Sequence, residues 1–173
     1  MSPQFADASA STLPLWLVRP AADETAFPDQ IGEAAKTWAK AQGFSGKAGQ
    51  ICILPAQDGT ILGALYGIGP ARNATDRPAR ERYLLARAAE NLPEGDWHLA
   101  NHPEGFDTTL GALGWLFAQY RFARYKKAEP ARARLACPAS LDRARLLAMA
   151  EGEYLARDLI NTPASDMGPD QLE

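Results

Sequence analysis

LPLWLVRP, residues Leu13 to Pro20, decides how the rest of the chain is read. Six apolar residues stand in a row before Arg19-Pro20 ends the run. Successive side chains of a strand point to opposite faces, so a strand with one wet face alternates apolar with polar. A run that is apolar at every position suits a strand covered on both faces. Covering a sheet on both faces takes a layer of helices on each side, which makes the expected fold α/β with three α/β/α layers.

Downstream the period changes to that of a helix. Ile31, Ala34, Ala35, Trp38 and Ala41 recur at spacings of three and four, with Glu33, Lys36 and Lys40 elsewhere around the helix. QICILPAQDGTILGALYGIGP then reads as a hairpin, because Gln50 to Pro55 and Thr60 to Ile68 flank the turn signal Asp58-Gly59. RPARERYLLARAAENL is helical by composition, with Tyr83, Leu84, Ala86, Ala88 and Leu92 expected on its buried side. WHLA (Trp97 to Ala100) is a short strand. In TLGALGWLFAQYRFARY the apolar stripe includes Leu110, Leu113, Leu116, Phe117, Tyr120 and Tyr125. Gly111 and Gly114 each cost that helix roughly 1 kcal/mol relative to alanine, so something is expected to pack closely on them. ARLACP (Ala133 to Pro138) gives a last strand and Leu141 to Ile160 a last long helix. Alternation with one inserted hairpin predicts a mixed sheet.

These elements divide the chain into a loose N-terminal arm (1–12), an α/β domain (13–139), a long helix (140–162) and a proline-punctuated tail (163–173). The 173 residues are 46% hydrophobic and 23% charged, as in a globular protein with a packed core. The apolar run before the first basic residue, Arg19, is too short for a signal peptide. No segment approaches the ~20 apolar residues that span a bilayer. Cys52 and Cys137 sit in no metal or redox spacing. A cytoplasmic protein with reduced thiols and no membrane partner is the expectation.

Catalytic material is sparse. Gly67 to Pro70 (GIGP) follows a strand, where glycines can let N–H groups reach a phosphate, but neither GxGxxG nor a Walker lysine is completed, and a structural turn is preferred. His98 and His102 straddle a strand and a turn without a third ligand, so no metal site is assigned. No nucleophile elbow is present, and no catalytic residue is assigned. The net charge of −3 is uneven: Arg121 to Arg145 holds eight basic against two acidic residues, a local +6. Tyr120, Phe122 and Tyr125 interleave with it, as in a nucleic-acid surface. A solvated or subunit-facing surface is the preferred reading, with nucleic acid as an unlikely partner.

The last helix has an expected buried stripe of Leu141, Ala144, Ala148, Gly152, Leu155 and Leu159, broadened by Leu147, Ala150 and Tyr154. On that basis Leu155→Asp is expected to destabilise the domain. Asn161 is placed to end the helix in a left-handed cap, and Pro163 to hold Thr162 extended. Arg157 and Asp158 are adjacent, point in different directions and are expected to serve separate partners: surface charges, or ties to whatever follows. GPDQLE looks like the first turn of another helix.

The segment ARDLINTPASDMGPDQL resembles the entry to the catalytic domain in the leucyl (cytosol) aminopeptidase family. Ala156, Arg157, Asp158, Leu159, Asn161, Thr162, Pro163, Ala164, Asp166, Pro169 and Leu172 fit its pattern, while Ser165 stands for the usual Asn and Gly168 for the frequent Thr. GWLFAQYRFARYKK is similar to the same family's YxFxxYK helix end through Tyr120, Phe122, Tyr125 and Lys126. The resemblance implies a macro-domain-like N-terminal domain, non-catalytic and serving assembly or regulation. It implies a parent enzyme that removes N-terminal amino acids from peptides with two divalent ions, zinc or manganese, held by a catalytic domain outside this chain. Its implied partners are that catalytic domain, a peptide substrate and sister subunits of a homo-hexamer. Arg157, Asp158, Asn161, Thr162 and Pro163 become the expected domain-junction motif. The alternatives are a stand-alone macro-like module for a nucleotide or ADP-ribose, and nucleic-acid binding through residues 121–145.

Overall fold

The computed structural model describes residues 2–7, 11–20, 27–71, 83–125, 127 and 131–166. Its centre is β1 (Leu13–Val18), flanked in parallel by β3 (Ile61–Gly67) and β4 (Gly95–Leu99). β2 (Ile51–Pro55) pairs antiparallel with β3, and β5 (Ala133–Leu135) pairs parallel with β4. The sheet order is β2-β3-β1-β4-β5, mixed as expected.

The unbroken apolar run of β1 divides between two cores. Leu15 and Leu17 join Tyr66, Trp97, Trp115 and Leu135 on one face. Trp16 and Val18 join Phe44, Cys52, Leu54 and Leu65 on the other. Helix α1 (Glu33–Ala41) covers the second face through Ala39, which is fully buried. Over the first face lie α2 (Ala86–Asn91), α3 (Thr108–Ala118) and α4 (Arg143–Asn161). Asp107 and Asp142 start α3 and α4 as N-caps, accepting from the Leu110 and Arg145 amides at 3.0 Å.

Close packing explains both glycines of α3: a Cβ at Gly114 would stand 2.9 Å from the Cβ and carbonyl oxygen of Tyr83, and one at Gly111 would stand 2.9 Å from the Phe106 ring. The backbone of the α2 approach thus runs directly over α3.

Four expectations are corrected. The N-terminal arm is not loose where it is described: Pro3, Phe5 and Ala6 are buried, and the Ala6 amide donates to the Leu135 carbonyl at 2.8 Å. Polar composition hid the one aromatic residue, Phe5, that seats it. The inward row is Ile31, just before α1, then Ala35, partly buried, and Ala39, fully buried, at a spacing of four, while Ala34 and Ala41 face water and Trp38 lies across the surface, its indole donating to the Ile53 carbonyl. Of the helix expected from residue 77, Ala86–Asn91 is helical and residues 77–82 lie outside the described ones; Tyr83 is exposed, and Leu85 and Ala89 are buried with Leu84, Ala88 and Leu92. In α4 the broadening residues Ala150 and Tyr154 are buried as expected and Leu141 and Leu147 pack partly buried against the core, but the rest of the expected stripe faces water. Leu146, Ala150 and Tyr154 are buried, whereas Ala144, Ala148, Gly152, Leu155 and Leu159 are exposed.

Candidate functional site

The residues singled out at the end of the chain converge on the end of α3. Tyr154, on the buried row of α4, donates its hydroxyl to the Leu116 carbonyl at 2.6 Å. One turn further, the Arg157 guanidinium lies over the rings of Phe117 and Tyr120, at 5.8 and 5.4 Å. Its Nε is 2.8 Å from Glu153 Oε1, and Nη1 donates to the Phe117 carbonyl at 3.3 Å. Asp158 accepts from the Tyr120 hydroxyl at 2.7 Å, and Asn161 Nδ2 donates to that same oxygen at 3.1 Å. The Tyr120 ring meets Tyr154 edge-on, with centroids 5.1 Å apart.

Thr162 closes the helix. Its hydroxyl donates to the Asp158 carbonyl at 2.7 Å and accepts from Arg124 Nη1 at 3.3 Å. Arg124 also reaches the Asp166 carbonyl at 3.4 Å, and the Tyr125 hydroxyl donates to the Asp166 carboxylate. Pro163 is exposed and leads into a 3₁₀ turn, Ala164–Asp166.

The electrostatics follow from these contacts. Burial pushes the Tyr154 hydroxyl up to about 12. Desolvation, then the Asp158 carboxylate, raises Tyr120. The hydroxyls of Tyr125 and then Ser165 hold Asp166 below the usual carboxylate range. What the cluster does chemically is tie: two segments about 40 positions apart in sequence share ring stacking, charge-assisted hydrogen bonds and a helix cap.

Arg157 and Asp158 therefore meet one residue, Tyr120, on its ring face and its hydroxyl, instead of serving separate partners. Both tie α4 back to α3. Asn161 is helical, not left-handed, since among the described residues no non-glycine φ is positive; its side chain is used on Tyr120. Thr162 is extended before Pro163, as expected (φ −81°, ψ 124°). Sequence reasoning missed Arg124, Glu153 and the hydroxyl of Tyr154; the signal available was that the two recognisable motifs stand at the ends of α3 and α4.

The remaining candidates resolve into structural roles. The amides of Gly67, Ile68 and Gly69 donate to Gln50, Val18 and Gly46 carbonyls at 2.8, 2.9 and 3.0 Å, leaving GIGP no donors for a phosphate. His98 and His102 line one cleft of about 630 Å³ with Cys137 and Ser140, and His98 Nδ1 lies 2.9 Å from the Thr12 hydroxyl. Among the described residues no three His, Cys, Asp or Glu side chains are grouped to hold a metal. In the basic stretch Arg124 binds Thr162, Arg134 forks onto Asp96 at 2.8 and 3.0 Å, and Arg143 lies over Phe5. Arg121 reaches back to the Ala118 and Tyr120 carbonyls. These four guanidinium groups form internal ties. No described helix is long and apolar enough to cross a membrane.

Fold and site together define a mixed α/β domain that ends in a long helix tied down by aromatic and charged side chains. Residues 13–138 match the family model for the M17 aminopeptidase N-terminal domain, and the chain belongs to that family. Among curated proteins none matches it. Among solved structures it is similar to the cytosol aminopeptidase of Coxiella burnetii, at 29% identity over 96% of this chain and 35% of that one, with a TM-score of 0.76. It is similar to the bottromycin maturation enzyme BotP in complex with Mn, at 25% identity over 95% and 34% of the two chains, TM-score 0.65. A tomato leucine aminopeptidase mutant shares the fold, at 18% identity over 99% and 40%, TM-score 0.63. The chain thus spans between a third and two fifths of these proteins.

Proposed function

We propose that this chain is the non-catalytic N-terminal domain of a two-metal leucyl aminopeptidase that removes N-terminal amino acids from peptides. The observation that carries the reading is the family match over residues 13–138, joined to a fold likeness that covers 96% of this chain and 35% of a cytosol aminopeptidase. The described residues supply no metal-ligand cluster. The two divalent ions, zinc or manganese, are assigned in this reading to the catalytic domain, where they would activate the attacking water, and the similar BotP was solved in complex with Mn. The division of labour places 13–139 as the macro-domain-like module, 140–162 as the connecting helix and 163–173 as the opening of the catalytic domain. In this reading Arg157, Asp158, Asn161, Thr162 and Pro163 form the domain junction. The domain serves assembly of a cytoplasmic homo-hexamer and limits access to the active site.

The test is hydrolysis of leucine p-nitroanilide with manganese or zinc. The 173-residue chain is expected to leave it intact, while the protein encoded by the gene read past Glu173 is expected to turn it over only with metal. Metal-dependent turnover by the pure chain, or none by the whole gene product, overturns the proposal.

A further inference from the structure

Helix α4 has a second apolar face that its tie to α3 does not use. At 3.6 residues per turn, Leu155, Ala148, Leu159, Gly152, Met149 and Ile160 fall within an arc of about 140° on the side away from Leu146, Ala150 and Tyr154. All six are exposed, and the large ones are conspicuously so: Met149 47%, Leu155 62%, Ile160 82%. From Ala148 to Ile160 no charged residue falls in that arc; Glu151, Glu153, Arg157 and Asp158 lie outside it. A large side chain left in water forgoes roughly 1.5–3 kcal/mol of burial. Contiguous apolar patches rimmed by polar groups mark interaction sites.

The face points to one kind of occupant. It is one side of a single 19-residue helix, with its bulk in the last two turns. That is narrow against the ~800 Å² per partner of a standard protein interface, so a second free copy is a poor fit. A neighbour joined through a short linker meets the patch at an effective concentration near millimolar, and a small patch is then sufficient. The solved proteins it resembles are much longer than the part this chain matches, which is 35% of the Coxiella burnetii cytosol aminopeptidase and 34% of BotP. Leu159 and Ile160 stand immediately before Pro163, where α4 hands over to the next segment.

We propose that the Leu155–Leu159–Ile160 face of α4 is the seat of the M17 catalytic domain carried by the same polypeptide, an inference that rests on the function proposed above. The tie around Tyr120 and Tyr154 holds α4 from one side and presents the opposite side to that domain. α4 is then a shared wall, with one apolar row for each domain.

The test uses thiol accessibility. Leu155→Cys and Ile160→Cys are placed singly in a Cys137→Ser background, in the 173-residue chain and in the whole gene product, and alkylated with N-ethylmaleimide. Gln57→Cys, on the exposed β2–β3 turn, is the reference. Reaction at 155 and 160 is expected to be at least tenfold slower in the whole protein than in the chain, with position 57 equal in both. Equal rates at 155 and 160 in a whole protein that still hydrolyses leucine p-nitroanilide overturn the docking face and leave the proposed function standing. A whole gene product without metal-dependent hydrolysis removes both. Slowing in the 173-residue chain that grows with its concentration assigns the face to a second copy and also overturns the inference.

Discussion

Replacing Tyr154 by phenylalanine changes the sign of its effect with pH. At neutral pH the substitution removes the 2.6 Å hydrogen bond from the buried hydroxyl to the Leu116 carbonyl. Such a bond contributes about 1 kcal/mol net, and the carbonyl keeps its other partner, the Gln119 amide at 3.0 Å. Tyr154→Phe is therefore expected to cost about 1 kcal/mol at pH 7. In alkali the order reverses. Burial raises the folded-state value from 10.0 to about 12, so the unfolded chain releases this proton first. The stabilisation of the protonated form is complete below pH 10 and is lost as pH rises through about 12. At ~1.4 kcal/mol per unit, the wild type loses roughly 3 kcal/mol over that interval while the phenylalanine variant loses none through this site. The two stability curves should cross between pH 10 and 11. Urea unfolding of both proteins from pH 7 to 11 measures it, and other tyrosines, Tyr66 included, cancel in the difference. A deficit in the variant at pH 11 as large as at pH 7 would refute the assignment of Tyr154 as the buried, protonated anchor of α4.

Two glycine substitutions test the packing of α3 and α4 in opposite directions. Gly152→Ala meets nothing within 4 Å and should stabilise the 173-residue chain by about 1 kcal/mol, or 2–4 °C in Tm. Gly114→Ala sets a methyl 2.9 Å from Tyr83 backbone and should lower Tm despite the same propensity gain. Leu155→Asp should leave the Tm of the chain within the shift of about 0.5 kcal/mol usual for surface changes, whereas Leu146→Asp, on the buried row, should abolish cooperative melting; equal effects would show that α4 is rotated from the orientation described.

The sheet was legible because β1 is apolar at every position, a pattern that suits a strand covered on both faces. The orientation of α4 was not. Leu146, Ala150 and Tyr154 make a row at a spacing of four, and so do Ala144, Ala148 and Gly152, continued by Leu155 and Leu159. Periodicity finds both rows and cannot say which one the sheet buries. At the junction, local pattern found Arg157, Asp158, Asn161, Thr162 and Pro163 but not their meeting point, because Tyr120 lies 38 positions before Asp158 and only the packing of α3 on α4 joins them. The seat of the N-terminal arm was illegible for a similar reason: its partner, Leu135, is at the far end of the domain.

That last contact bears on how the protein is made. On either side of β5 the Arg132 carbonyl and the Ala136 amide bond toward β4, while the backbone carbonyl of Leu135, whose side chain is in the core, faces away from β4 and accepts from Ala6. During synthesis the first residues leave the ribosome long before β5 exists, so the sheet edge they cover is completed late. Until β5 forms and the arm settles on it, β4 is an open strand edge, the kind of surface on which nascent chains pair with one another. Fast dilution or chaperone capture during production should therefore protect this edge, next to which Ser2 and Arg134 line one small cavity.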